Sequence, residues 1–205
     1  MSSDPQHLLA FDMEGVFTPE IWLELADHTN IEGLRRTTRD EPNYEVLMSG
    51  RLKILDEHGI TLSDIVRLVE PLEPLPGAVE FLHSVRSEYS VVLLSDTFEQ
   101  LATPLFERLG FPLVLCHRLV VENDRIRSAK VRIPDAKRMA VKNFTAMGYS
   151  VVAVGDSFND LNMLRAADHG LLFNAPEHIR DSNSDLAAVN DYDAVYSWIK
   201  QQTAR

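Results

Sequence analysis

"LLAFDMEGVFTPEIW", residues 8–22, decides the reading of the chain. Its first four residues are a short apolar run that stops at Asp12, Glu14 and Gly15, before Pro19 breaks the pattern. A run of this length, bounded by polar and glycine residues, reads as a buried strand. Three others match it: "VVLLS" at 91–95, "VVAVG" at 151–155 and "GLLF" at 170–173. Helical spacing fills the intervals. "PGAVEFLHSVRSEY" puts Val79, Leu82, Val85 and Arg86 around one face, with Pro76 near its start. "DAKRMAVKNFTAMG" begins on Asp135 as an N-cap and ends on Gly148 as a C-cap. Strands alternating with such helices predict the α/β class, a mainly parallel sheet with helices on both faces.

Between Pro19 and about Leu75 no stretch reads as a strand. "PEIWLELADHT", "NYEVLMSGRLKILDEHG" and "LSDIVRLVE" are helical instead, and the three prolines of "PLEPLPG" stiffen the exit. An all-helical insert after the first strand predicts a small cap, residues 18–75, over a core of residues 1–17 and 76–205. Trp22 and Leu25 fall on the packed face of the first cap helix, while Phe98 lines the pocket or packs beneath the cap. "HRLVVENDRIRSAKVRI" alternates and turns at "END", as a β-hairpin does. "YDAVYSWIKQQ" reads as an amphipathic helix that packs on the core or forms a homodimer contact.

Composition narrows the function classes. With 205 residues, 45% apolar and 25% charged, the chain has the balance of a globular protein, long enough for one sizeable core or for a core domain carrying a small satellite. Asp and Glu outnumber Lys and Arg 31 to 20 and no basic stripe is present, which argues against a nucleic-acid partner. Cys116 is the single cysteine, so no internal disulfide forms. "MSSDPQH" lacks the charged, apolar and small-residue series of a signal peptide, and no apolar run reaches spanning length. The expectation is a cytoplasmic enzyme without membrane association.

In an open parallel sheet the ligand crevice lies beyond the carboxyl ends of the strands. Asp12 and Glu14 follow the first strand, Ser95 and Asp96 end a later one, and Asp156 and Asp160 follow "VVAVG". Lys137, in the first turn of a helix, reaches toward the same rim. Magnesium takes one or two carboxylates together with waters and phosphate oxygens, and Asp12 and Asp156 can supply the carboxylates. A cation between them lets two close acids stay ionised. Asp12, Ser95, Lys137 and Asp156 thus make a phosphoryl-transfer set. Each residue also has a plainer reading: acids and serines cap turns, Lys137 is a solvated surface lysine, and Arg51 is a surface cation on an amphipathic helix. Glu20, beside Pro19, is by that reading a helix-start acid. The order of the set along the chain, each member at a strand or helix end, favours chemistry.

"DMEGV", the "SDT" after "VVLL", Lys137 and "GDSFND" resemble the four motifs of the haloacid dehalogenase phosphatase superfamily, and the helical insert resembles its small C1-type cap on a Rossmann-like core. The match runs from about residue 8 to 175. Within that superfamily the chain looks like the phosphoserine phosphatases. "DMEGVFTPEIW", "TTRDEPNYEVLM", "RLKILDEHG" and "LSDTFEQ" look like the bacterial branch described as bifunctional phosphoserine phosphatase and homoserine phosphotransferase. Two positions depart from the commoner phosphoserine phosphatase pattern: Glu14 stands where a second Asp is usual, and Asp96 where Gly is usual. Both replacements belong to the bifunctional branch.

The resemblance implies a Mg2+-dependent enzyme in which Asp12 is the nucleophile and Glu14 the general acid and base. Metal ligands would be the Asp12 and Asp156 carboxylates and the Glu14 backbone carbonyl, with Asp160 as an outer partner. Ser95, Lys137 and Asn159 would bind phosphate oxygens, and Gly15 would leave room beside Glu14. Arg51 and Glu20 would take the carboxylate and ammonium of an amino-acid substrate, O-phospho-L-serine as donor and L-homoserine as acceptor, in serine and threonine biosynthesis. Competing readings are a phosphatase for another small phosphate ester, a metal-binding protein without turnover, and a receiver-like signalling domain. The helical insert and the late G-D-x-x-x-D speak against the last.

Overall fold

The computed structural model describes residues 5–37, 40–41 and 43–204; Met1–Asp4 and, within the "TTRDEPNYEVLM" stretch, Thr38, Arg39 and Pro42 lie outside the described residues. The apolar runs form strands β1 (Gln6–Phe11), β2 (Ser90–Phe98), β5 (Tyr149–Gly155) and β6 (His169–Phe173), joined by β3 (Val114–Glu122), β4 (Arg125–Lys130) and the short β7 (Ala187–Val189). The sheet order among described residues is β4-β3-β2-β1-β5-β6-β7, parallel throughout except for β3 with β4. β3 and β4 are the expected hairpin. Asn123 and Asp124, both at positive φ (50° and 64°), form its two-residue turn, the backbone that matches the twist of paired strands.

The central strands carry apolar side chains on both faces because helices cover both. On one face Leu9, Phe11, Leu93, Val152 and Val154 pack under α4 (Ala78–Glu88), α5 (Glu99–Arg108) and α9 (Tyr192–Thr203). On the other, Leu8, Ala10, Val92, Val151 and Ala153 pack under α6 (Ala136–Ala146), α7 (Leu161–Ala166) and α8 (Glu177–Ser182). The winding reverses between β1 and β5, which makes their carboxyl ends the topological switch point.

The insert between β1 and β2 contains α1 (Ile21–Thr29), a 3-10 turn at Glu32–Arg35, α2 (Tyr44–Glu57) and α3 (Leu62–Val69). Apart from one isolated bridge, Glu14 to Thr18, no strand interrupts its described residues. Its ends meet where the Leu75 amide donates to the Phe17 carbonyl at 2.8 Å. Trp22, Leu25, Met48, Leu55, Ile65 and Val69 are buried in the same apolar cluster as the α4 face of the sheet. Fully burying each such side chain stabilises by about 2 kcal/mol. The hairpin tip also grips the insert, as Asp124 accepts from the Ser63 amide and hydroxyl through its carboxylate and from the Leu62 amide through its carbonyl.

Three local expectations are corrected. The buried face of α4 is Ala78, Phe81, Leu82 and Val85, an i, i+3, i+4, i+7 set, while Val79 is 41% exposed. Asp135 stands at the N-terminal boundary of α6 but in left-handed backbone, its carboxylate turned to Arg138 rather than to a helix amide. Ser95 and Asp96 lie inside β2, which runs on to Phe98. Two further placements follow. α9 packs on the core through Val195 and Ile199, with Tyr192 stacked between Phe81 and Phe173 and donating to the Val16 carbonyl at 2.6 Å. Phe98 is fully buried and does not line the cavity that Asp12, Lys137 and Arg51 border. Among the described residues no helix is long and apolar enough to cross a membrane.

Candidate active site

Asp12 follows the last residue of β1, where its amide donates to the Val154 carbonyl at 2.8 Å and ties the residue to the tip of β5. Its Oδ1 accepts from the Met13 amide at 2.7 Å and from Lys137 Nζ at 2.8 Å. Lys137 approaches from the first turn of α6, and its side chain is only 5% exposed, against the plainer reading of a surface lysine. The same ammonium meets Asp160 Oδ1 at 2.8 Å and Asp96 Oδ2 at 3.5 Å. One buried cation therefore joins the ends of β1, β2 and β5.

Asp160 is fully buried, and its second oxygen accepts from the amides of Asp156 and Ser157 at 3.1 Å each. It holds the G-D-S-F-N-D turn in shape, and Gly155 makes room for it, since a Cβ there would sit 2.5 Å from the Asp160 side chain. Asp156 presses on Gly15 in the same manner: a Cβ on Gly15 would lie 2.3 Å from Asp156 Oδ2. Gly15 also has φ +80°, so both space and backbone demand glycine. The space serves Asp156 rather than Glu14.

Glu14 Oε1 accepts from the Ile21 amide at 2.9 Å, at the start of α1. Ser95 accepts from the Thr97 amide at 3.2 Å. Asn159 donates to Asp96 Oδ2 at 3.1 Å. Asp12, Glu14, Glu20, Ser95, Asp96, Lys137 and Asn159 line one cavity of about 180 Å³ together with the insert's Trp22, Tyr44 and Arg51. Arg51 is 8% exposed and thus no surface cation: its guanidinium stacks over Trp22 at 4.6 Å and donates to the Arg36 carbonyl at 2.7 Å, while its buried Nε has no hydrogen-bond partner. Glu20 stands at the N-terminal boundary of α1 without a side-chain cap bond. Every site residue expected from the sequence except Asp156 and Asp160 lines this cavity, and those two support it from the β5 turn.

The electrostatics are those of acids crowded around too few cations. Burial, then Asp160, pushes the Asp12 carboxyl well above its ordinary range, with Lys137 opposing. Burial, then Asp160 and Glu20, raises Asp156 to about 7; burial, then Glu14, raises Glu20 to about 7. Burial also raises Glu14, with the Ile21 amide opposing. Burial disfavours the Lys137 ammonium, but Asp12, Asp160 and Asp96 outweigh it and keep the amine protonated far up the pH scale. Oxygens of Asp12, Asp156 and Asp160 lie within 4.8 Å of one another, and Asp156 Oδ1 is buried with no hydrogen-bond partner. An all-oxygen set with an unpartnered buried carboxylate oxygen fits a hard divalent cation.

Three residues at the site carry no clear sequence signal. Tyr44 of α2 donates its hydroxyl to the Asp96 carbonyl at 2.8 Å across 52 residues. His117 of β3, buried, faces Asp96 Oδ1 with Nε2 at 3.6 Å. Phe158 stands 58% exposed at the cavity wall. Only the departure of Asp96 from glycine hints that new partners are needed there.

A lysine clamped between strand-end carboxylates at the switch point of a doubly wound sheet defines an α/β protein with an acidic centre ready for a divalent metal. The chain belongs to the haloacid dehalogenase-like hydrolases, whose family model matches residues 7–168. It is 48% identical over 187 residues to a protein named phosphoserine phosphatase from Pseudomonas syringae pv. tomato, covering 91% of this chain and 79% of that one. It is 46% identical over 187 residues to phosphoserine phosphatase ThrH of Pseudomonas aeruginosa, covering 91% of each. A solved structure of a phosphoserine phosphatase holding a phospho-aspartyl intermediate analogue superposes with TM-score 0.79 at 20% identity, over 95% of this chain and 99% of the other, a likeness of fold.

Proposed function

We propose that this chain hydrolyses O-phospho-L-serine with Mg2+ through a phosphoryl group carried on Asp12, and that it also passes that group to L-homoserine. The observation that carries the reading is the Asp12 carboxylate at the end of β1, bound by Lys137 in a cavity that also holds Glu14, Glu20 and Arg51. The two Pseudomonas relatives' names support the substrate, and the name of the second supports the branch.

An Asp12 oxygen attacks phosphorus in line, forming the Asp12 O–P bond as the bond to the serine oxygen breaks. Glu14, whose buried carboxyl keeps its proton to higher pH, gives that proton to the departing oxygen. In the second half-reaction it takes a proton from water, or from the homoserine hydroxyl, as that oxygen attacks phosphorus and frees Asp12. Ser95, Lys137 and Asn159 bind the remaining phosphoryl oxygens. Mg2+, held by Asp12, Asp156 and the Glu14 backbone carbonyl, would offset the repulsion between carboxylate and phosphate. Asp160 acts from behind by fixing Lys137 and the turn amides.

Arg51 takes the substrate carboxylate through two hydrogen bonds, and Glu20 accepts from its ammonium. Residues 18–75 serve as the cap that closes these groups over a core of 1–17 and 76–205 and excludes water, which lets an alcohol compete with hydrolysis. We place the enzyme in the cytoplasm on the same reading. A panel of small phosphate esters with Mg2+ tests the assignment. The expected result is highest kcat/KM for O-phospho-L-serine, with losses for esters lacking the carboxylate or the amine; equal rates across the panel would remove the amino-acid assignment.

A further inference from the structure

Asp96 holds two of the three groups that the proposed mechanism gives to phosphate. Its Oδ2 accepts from Asn159 Nδ2 at 3.1 Å and lies 3.5 Å from Lys137 Nζ. Its neighbour Ser95 is the third of those groups. The other carboxylate oxygen faces His117 Nε2 at 3.6 Å. The His117 Nδ1 accepts from the Arg132 amide at 3.3 Å, which leaves the proton on Nε2, pointed at Asp96. The Asp96 backbone carbonyl accepts from the Tyr44 hydroxyl at 2.8 Å, and the carboxylate bridges the two sets of donors, one oxygen to each, so the freedom that remains is its rotation away from Lys137 and Asn159 and further onto His117.

We infer that Asp96 is a specificity-determining internal anion, which occupies Lys137 and Asn159 when no phosphate is bound and swings toward His117 when a phosphoryl group arrives. The inference rests on the phosphate-binding assignment made above for Lys137 and Asn159. Burial by itself would raise the Asp96 carboxyl, but Lys137, His117 and Asn159 hold it well below the ordinary range, so the group is an anion at neutral pH. Every phosphate that enters must displace it, and a bound dianion then sits beside a carboxylate it repels. Both effects weaken binding of free phosphate and phosphate esters relative to the same donors left open, as a glycine at this position would leave them. The product phosphate therefore leaves readily and the centre is returned to a charge-balanced state. His117 sets the strength of the competition by offering the displaced carboxylate a second seat.

Binding of inorganic phosphate to the Mg2+-loaded protein, measured by calorimetry on the wild type, D96N, D96G and H117F, tests this. D96N and D96G should bind phosphate about tenfold more tightly or better, as removal of a neighbouring charge requires. H117F should bind it several-fold more weakly, because Asp96 then has only Lys137 and Asn159. A merely structural role predicts weaker binding in all three, and that result, or unchanged binding in both Asp96 variants with wild-type melting temperatures, overturns the inference. Absence of phosphate binding in every variant also overturns it, since D96G should unmask the site. The near-isosteric D96N carries the test if D96G does not fold. Turnover of O-phospho-L-serine by the same wild-type sample reports separately on the substrate reading.

Discussion

Gly15→Ala separates what the fold needs from what the chemistry needs. The new Cβ would fall 2.3 Å from Asp156 Oδ2, 2.5 Å from its Cγ and 2.9 Å from its Oδ1, in a backbone at φ +80°. Left-handed backbone costs an alanine about 1–2 kcal/mol. At roughly 2–4 °C per kcal/mol for a chain of this size, that lowers the melting temperature by about 2–8 °C. The clash falls on the end of a side chain, so the fold yields by moving Asp156 about 1 Å to reach van der Waals distance. A displacement of that size in a metal-binding carboxylate costs about a hundredfold in rate. The expected variant is folded at 25 °C, melts slightly early, binds Mg2+ more weakly by calorimetry, and loses about two orders of magnitude in kcat/KM. Wild-type activity and Mg2+ affinity in G15A would refute the packing of Gly15 against a functional Asp156.

Asp12→Asn should lower turnover by at least about a thousandfold while the variant still folds at 25 °C, and appreciable residual rate in folded protein would remove Asp12 as nucleophile. Arg51→Ala should raise KM for O-phospho-L-serine about 10- to 100-fold, the worth of a lost charged hydrogen-bond pair, while sparing a carboxylate-free ester. Stripped of metal, the protein should lose stability as pH rises from about 4 to about 7. Asp156 and Glu20 hold protons up to about 7 in the fold, whereas ordinary carboxyls release them near 3.8 and 4.5, so the folded state binds more protons in that window. Saturating Mg2+ should flatten this slope; melts with chelator that stay level or improve with pH would contradict the raised values.

The strands that build the switch point were legible because burial on both faces leaves β1, β2, β5 and β6 as short unbroken apolar runs. β7, three residues long, is too short for any period to show. α5 escaped because Pro104 sits inside it, where a proline removes a helical amide; the Thr103 hydroxyl donates to the Glu99 carbonyl within the same turn. In the site, Asp12, Asp156 and Asp160 could be read because they follow β1 and β5 and the chain order fixes those strand ends at one rim, whereas Ser95 lies within β2 three residues before its end. Arg51 and Glu20 came from resemblance alone, since nothing in a helical pattern says that an arginine will be buried over Trp22. Tyr44 and His117 were invisible for a related reason. Both approach Asp96, and their rings stand 6.1 Å apart, but contacts across 52, 21 and 73 residues leave no periodic trace in the sequence.

The central claim is that Asp12 carries a phosphoryl group which water and an alcohol share. The most direct test follows serine, phosphate and homoserine phosphate together while L-homoserine is titrated into enzyme, Mg2+ and O-phospho-L-serine. The account predicts that homoserine phosphate rises at the expense of phosphate while serine release does not slow, since both acceptors draw on one intermediate. Phosphate release that is indifferent to homoserine, with no homoserine phosphate formed, would contradict it.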